Sequence, residues 1–205
     1  AAAVESVDPY LVVERVFQNK QLVFPSESFD LSSFDHCYVV GFGKASVGMA
    51  QAVCDAIPVT KGVVVTNDPS ATIRNGCVEV VVGGHPLPTE DSVRGTEKIL
   101  EIMRQCAEND CVIVLVSGGG SSLLCQPRVP LDDLRKTTDL LLRSGVTITE
   151  LNTIRKHLSF VKGGQLVKHT KGVVLCLIIS DIVHDPISAI ASGPTSPDST
   201  TFSDA

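Results

Sequence analysis

The chain of 205 residues suits one α/β domain, or at most two small ones, and its 43% apolar content supports a sizeable core. A formal charge of −6, a pI near 5.3, no tryptophan and 4% aromatic residues argue against nucleic acid, which asks for basic and stacking surfaces. No membrane segment is expected, because the longest apolar run, Val173 to Ile179, is far too short to span a bilayer. The amino terminus lacks the basic flank of a signal peptide and also lacks a methionine, so a processed or excerpted piece is expected. Seven cysteines form no CxxC pair. Reduced thiols in a cytoplasmic protein are therefore expected, rather than a disulfide framework or a zinc site.

In chain order, Asp8-Pro9 opens a helix expected to run to about Gln18, with Tyr10, Val13 and Phe17 on one face. Residues 19–35 read as an irregular connection. Cys37 to Val40 is a buried strand, followed by a helix to about Ala56 that Pro58 ends. Gly62 to Thr66 and Val78 to Val82 are further strands. Thr89 opens a helix to about Cys106, with Glu90 and Asp91 favouring its first turn. Val112 to Val116 reads as a strand buried on both faces. Helical patterns then cover Leu131 to Ser144, Thr149 to Ser159 and Gln165 to His169, and Val173 to Ile179 is the last strong strand. Strands alternating with helices predict a three-layer α/β/α sandwich: a mostly parallel, Rossmann-like sheet with helices on both faces.

The chemistry-bearing residues follow the strands. Ser117-Gly118-Gly119-Gly120-Ser121-Ser122 ends the central strand, where ligands of open α/β sheets sit. Three glycines let successive N–H groups converge on an anion, with the serines as added donors. The alternative is a crowded strand–helix junction. Gly41-Phe42-Gly43-Lys44 sets a lysine where a helix start already attracts anions. It is neither a dinucleotide fingerprint, since position 46 is Ser46, nor a Walker A loop, since position 38 is Tyr38. His85, in Gly-Gly-His-Pro-Leu-Pro, either positions a substrate, acts as an acid or base, or stiffens its loop beside two prolines. Arg155, Lys156, Lys162, Lys168 and Lys171 fall in a stretch without acids. There Arg155 and Lys156 are the candidates for holding further negative charge, and a solvated face suits Lys168 and Lys171. Asp181 ends the last strand as a candidate Mg²⁺ ligand or proton acceptor that Asp185 could assist; capping the next turn is the alternative. Ser192-Gly193-Pro194-Thr195 closes the set.

Taken together, these motifs resemble the class II glycerate kinases, glycerate 2-kinases with an accessory carboxyl-terminal domain. The pieces, in order, are Val7-Asp8-Pro9-Tyr10, Gly41-Phe42-Gly43-Lys44-Ala45, Gly83-Gly84-His85-Pro86-Leu87-Pro88 and Ser117 to Ser122. Leu151-Asn152-Thr153-Ile154-Arg155-Lys156, Lys162-Gly163-Gly164, Ile179-Ser180-Asp181 and Ile190 to Thr195 follow, so the match covers nearly the whole chain. The resemblance implies ATP-dependent phosphorylation of D-glycerate to 2-phosphoglycerate with Mg²⁺. It implies Lys44 as central to phosphoryl transfer, with Asp181 as base or metal ligand and Asp185 beside it at the metal. Gly43, the Ser117–Ser122 loop, Arg155 and Lys156 would hold nucleotide or other anionic groups, and His85 and Ser192 the substrate. Whether the loop takes nucleotide phosphate or the glycerate carboxylate stays open. Such proteins are about twice this length, and their second domain supplies an arginine and closes the cleft. Residues 1–205 would thus be the amino-terminal domain, incomplete as a catalyst, with an oligomer possible.

Two other function classes compete. One is a module that senses a nucleotide or sugar phosphate without chemistry. The other is an NAD-linked oxidoreductase with Asp68 as its ribose carboxylate, against which the glycine spacing already counts.

Overall fold

The structure, a computed structural model, describes residues 7–74 and 76–205. Its centre is a five-stranded, wholly parallel sheet of β4 (Cys37–Phe42), β5 (Lys61–Thr66), β6 (Val78–Val82), β7 (Cys111–Ser117) and β8 (Val173–Ile179). Their spatial order is β6-β5-β4-β7-β8. From β4 the chain builds outward through β5 and β6, then returns to the other side of β4 with β7. The order therefore reverses between β4 and β7, and their carboxyl ends flank the crevice such a reversal opens.

Alternation along the strands divides the core into two layers. Val40, Phe42, Val112, Val114 and Val116 point to the face covered by α3 (Glu90–Gln105), where Ile99, Ile102 and Met103 are buried. Val39, Ile113 and Leu115 point to the other face, covered by α1 (Pro9–Glu14) and α2 (Ser46–Ala56) through Val13, Met49 and Val53. Every residue of β7 is buried, as its unbroken apolar run requires of a central parallel strand. The helices begin where side chains can cap them. Asp8 accepts from the N–H groups of Tyr10 and Leu11 at α1, and Thr89 and Ser92 form a reciprocal cap on α3.

Two expectations fail near the amino terminus. Helix α1 ends at Glu14, not near Gln18, and residues 19–35 are ordered. Phe17–Gln18 (β1) pairs antiparallel with Gln21–Val23 (β2), which pairs with Ser28–Asp30 (β3). Asn19 and Lys20 connect the first two strands with φ of 50° and 64°. Two successive left-handed residues make the tight hairpin turn whose twist suits its strands. Lys20 stands where glycine would have signalled it.

Beyond β7 lie α4 (Gly120–Leu123), α5 (Leu131–Ser144) and α6 (Ile148–His157), followed by 3₁₀ turns at Leu166–His169 and Ile190–Ser192. The single turn α4 and the last 3₁₀ turn have no apolar period and were not expected. Among the described residues no helix is long and apolar enough to cross a membrane.

At the amino-terminal rim, Asp110 anchors the turn that launches β7. Its carboxylate accepts from Ala107 N–H at 2.8 Å and pairs with His36 Nδ1 at 2.9 Å, and the residue is 3% exposed. The Ala107 hydrogen bond, helped by His36 and opposed by burial, holds its carboxyl below the usual range. Replacing Asp110 by alanine strands the Ala107 N–H and is expected to cost about 1–3 kcal/mol in urea unfolding. For the parent, the sign follows from the lowered folded value: this contribution is complete above about pH 4 and fades as pH falls through that value. The Asp110→Ala protein should therefore show a flatter acid limb.

Candidate functional site

The loops after β4 and β7 are laced together at the crevice. Lys44 N–H donates to Gly118 O at 2.9 Å, Ala45 N–H to Ser117 Oγ at 3.0 Å, and Gly43 N–H to Val65 O at 3.1 Å. Gly43 has φ of 127°, and a Cβ there would overlap Ser117 Oγ, so only glycine fits. Ser46, fully buried, returns its hydroxyl to Gly43 O at 2.8 Å as α2 begins. The Gly41-Phe42-Gly43 sequence thus serves the contact between two loops.

Around the triple glycine three candidates converge. A Cβ at Gly119 would lie 3.0 Å from His85 Cδ2 and 3.4 Å from Lys44 Cε, and one at Gly118 would overlap the Asp181 carboxylate. Lys44, His85 and Asp181 are all exposed, and among the described residues the Lys44 amino group forms no ion pair. The N–H groups of Gly119, Gly120 and Ser121 likewise donate to no described residue. Burial pushes the His85 ring below its usual pKa, the Lys44 charge adds to that, and Asp181 opposes it. The protonated form of His85 is therefore disfavoured where it lies between Lys44 and Asp181.

The serines have other duties than lining an anion site. Ser117 Oγ accepts from Ala45, Ser122 Oγ donates to Pro86 O in the His85 loop, and Ser121 Oγ lies 3.0 Å from Ser192 Oγ. Ser192, fully buried, donates to Asn152 Oδ1 at 3.1 Å and holds φ of 62° beside Ala191 at 50°. Its hydroxyl braces the turn through Ser121 and Asn152. Lys162 belongs to the same brace: 5% exposed, it donates to Ser121 O at 2.9 Å and Leu124 O at 2.7 Å, the two ends of α4. Burial lowers its pKa to about 8. Sequence reading placed Lys162 only among the cations of an acid-free segment, since a lysine between Val161 and Gly163 does not announce burial.

Of the other candidates, Lys156 is buried against Asp198. It is 8% exposed and pairs with Asp198 at 3.2 Å, which fills its charge requirement without a ligand. Arg155 is half-buried on the far side of the Ser121–Ser122 turn. Asp185 is exposed, and its N–H closes a turn on Ile182 O. Among the described residues no three His, Cys, Asp or Glu side chains gather closely enough to form a metal cage. Asp68, the ribose carboxylate of the oxidoreductase alternative, instead holds the N–H and hydroxyl of Ser70.

Comparison with known proteins agrees with this architecture. The chain is 43% identical to a glycerate 2-kinase of Pyrococcus horikoshii, over 99% of its own length and 46% of that protein's. It is 40% identical to a D-glycerate 2-kinase of Thermotoga maritima, over 95% of its own length and 49% of the other's. A crystal structure of a P. horikoshii protein superposes with a TM-score of 0.91 at 43% identity, covering 99% of this chain and 47% of that one. The T. maritima glycerate kinase structure gives 0.87 at 38% identity, covering 100% and 48%. The chain thus spans about half the length of the curated relatives it matches. A family model covers residues 1–205, and the chain belongs to the family it describes, a domain of unknown function designated DUF4147.

Proposed function

We propose that this chain is the phosphoryl-transfer half of a cytoplasmic kinase that uses ATP to convert D-glycerate to 2-phosphoglycerate. The observation that carries the reading is the meeting of Lys44 with the Gly118–Gly119 bend, beside His85 and Asp181, at the strand-order reversal. Transfer of a γ-phosphoryl group needs positioned donors and cationic stabilisation more than covalent help. Among the described residues, Lys44 supplies an ammonium in no ion pair, and Gly119, Gly120 and Ser121 supply N–H groups with no acceptor. Lys44 would sit on the transferring group, with the glycine bend cradling phosphate. The glycerate 2-kinase relatives support the substrate assignment. The cytoplasmic assignment rests on Cys37, Cys106, Cys111, Cys125 and Cys176, none of which is in a disulfide.

Asp181 suits either a proton acceptor for the attacking hydroxyl or a Mg²⁺ ligand. A kinase magnesium ion is commonly held by one or two carboxylates together with substrate phosphates, so a lone carboxylate facing the bend fits it. Asp185 is the second carboxylate within reach along the chain. When bound, Mg²⁺ would neutralise charge between the phosphates. His85, whose protonated form burial and the Lys44 charge disfavour, can hydrogen-bond the acceptor. The other half of a full-length relative would close the cleft and complete the charge set.

The Lys44→Met variant of the full-length protein should lose roughly 10³-fold or more in ATP consumption on D-glycerate while its unfolding midpoint stays within a degree or two. A sensing module would instead lose affinity alone. The same substitution removes a positive charge beside His85, so the ring's pKa should rise, measured by NMR titration of its Cε1 proton. Asp181→Asn should reverse that direction, because it removes the anion that favours the protonated ring.

A further inference from the structure

Lys162, 5% exposed, is the most buried cation among the described residues, and among them it forms no ion pair. Its ammonium donates to Ser121 O at 2.9 Å and Leu124 O at 2.7 Å, so it bridges two carbonyls of the α4 turn. Bridging two carbonyls needs no charge. The neutral Gln165 amide does the same nearby, donating to Ser159 O at 2.8 Å and Lys162 O at 3.1 Å. A cation drawn out of water without a carboxylate is costly, so a charge at this place asks for a use beyond bracing.

The peptides of the turn supply that use. Lys162 holds the carbonyl of the Ser121–Ser122 peptide, whose N–H, on Ser122, donates to Gly119 O at 3.2 Å. Gly119 O belongs in turn to the peptide carrying the Gly120 N–H, which donates to no described residue. Hydrogen bonds in series polarise one another, so positive charge at one end strengthens the donor at the other. We propose that Lys162 is a positioning residue: its ammonium, acting through the Ser121 and Gly119 peptides, strengthens the Gly120 N–H as a donor to an anion in the glycine bend. The inference rests on the kinase reading for the identity of that anion, a nucleotide phosphate.

The charge has a pH limit. Burial lowers the Lys162 pKa to about 8, with the Cys125 thiol after α4 opposing and Arg155 on α6 adding to the shift. Cys125 is itself pushed up by burial, and neither α4 nor the Ile190–Ser192 turn brings an ionisable side chain. Of the charges on the neighbouring helices, Arg135 is paired with Glu90 and Asp132, and Lys156 with Asp198. Below about pH 8 the Lys162 ammonium is charged. Above it, a neutral amine keeps two N–H groups for the two carbonyls but has no charge to pass on. Anion binding in the bend therefore weakens as pH rises through about 8.

Calorimetric titration of the full-length protein with ADP between about pH 7 and 9.5 tests the assignment, since a terminal phosphate of pKa about 6 keeps its charge throughout. ADP affinity should fall roughly 3- to 10-fold as pH rises through about 8. Lys162→Met should bind at the lower affinity already at neutral pH and show no such fall. Arg155→Met removes a like charge, so the fall should move to higher pH whatever the variant's absolute affinity. Lys44→Met should bind more weakly at every pH and keep the fall, which separates the two lysines. No ADP binding, affinity level across pH 8, or a fall that persists in a folded Lys162→Met protein overturns the inference. If Lys162→Met does not fold, an unmoved midpoint in Arg155→Met overturns it instead. A Lys162-dependent fall without ATP consumption on D-glycerate sinks the kinase reading and leaves this one standing. Turnover on D-glycerate with ADP affinity level across pH 8 does the reverse.

Discussion

The contact between Gly43 and Ser117 governs everything at the carboxyl rim of the sheet. No Cβ fits between them, so the loops of β4 and β7 close to within direct backbone hydrogen-bond distance, Lys44 N–H to Gly118 O. That bond carries the first residue of the Lys44 loop onto the triple glycine and sends the lysine side chain toward Gly119. A wider junction would let water between the loops and leave the ammonium to wander. Positional precision here comes from the absence of atoms.

A second tier of residues keeps the bend in shape. Lys162 spans α4 from Ser121 O to Leu124 O, and Ser192 ties Ser121 to Asn152 on α6. The left-handed backbone at Ala191 and Ser192 is strained for residues other than glycine, by roughly 1–3 kcal/mol each, and persists because the buried surroundings dictate it. Ala191 is also the residue a Cβ on Gly120 would strike, so the strained turn and the glycine bend are fitted to each other. The hydroxyls and the buried ammonium hold the shape, while the glycine N–H groups and Lys44 stay available.

Much of this was legible in the residue pattern, for physical reasons. Burial on both faces writes long Val/Ile/Leu runs, so β6 and β8 match their expected bounds, β7 exceeds the expected Val112–Val116 by one residue at each end, and α5 begins and ends where its apolar period does. Glycines with lysine, histidine or aspartate after strands marked the rim because those types have little other reason to cluster there. The β1–β2 hairpin was hidden because Asn19 and Lys20 supply left-handed backbone without a glycine. Lys156 and Lys162 were ambiguous for a different reason: composition reports charge, but only packing reveals whether Asp198 or a pair of carbonyls has already answered it.

The parallel sheet has a consequence for how such a domain adapts. Asp110 and the Ala107 turn stand at the start of β7, and the glycine bend stands at its end, seven residues and roughly 20 Å away. Substitutions at one rim can therefore act without touching the other. Melting temperature can drift through substitutions at the Asp110 end without disturbing the end that carries the glycine bend, whose crowding tolerates almost no change. Homologues from hot and temperate habitats should differ chiefly at the former, and the tempo of divergence along one strand would run from fast to nearly frozen.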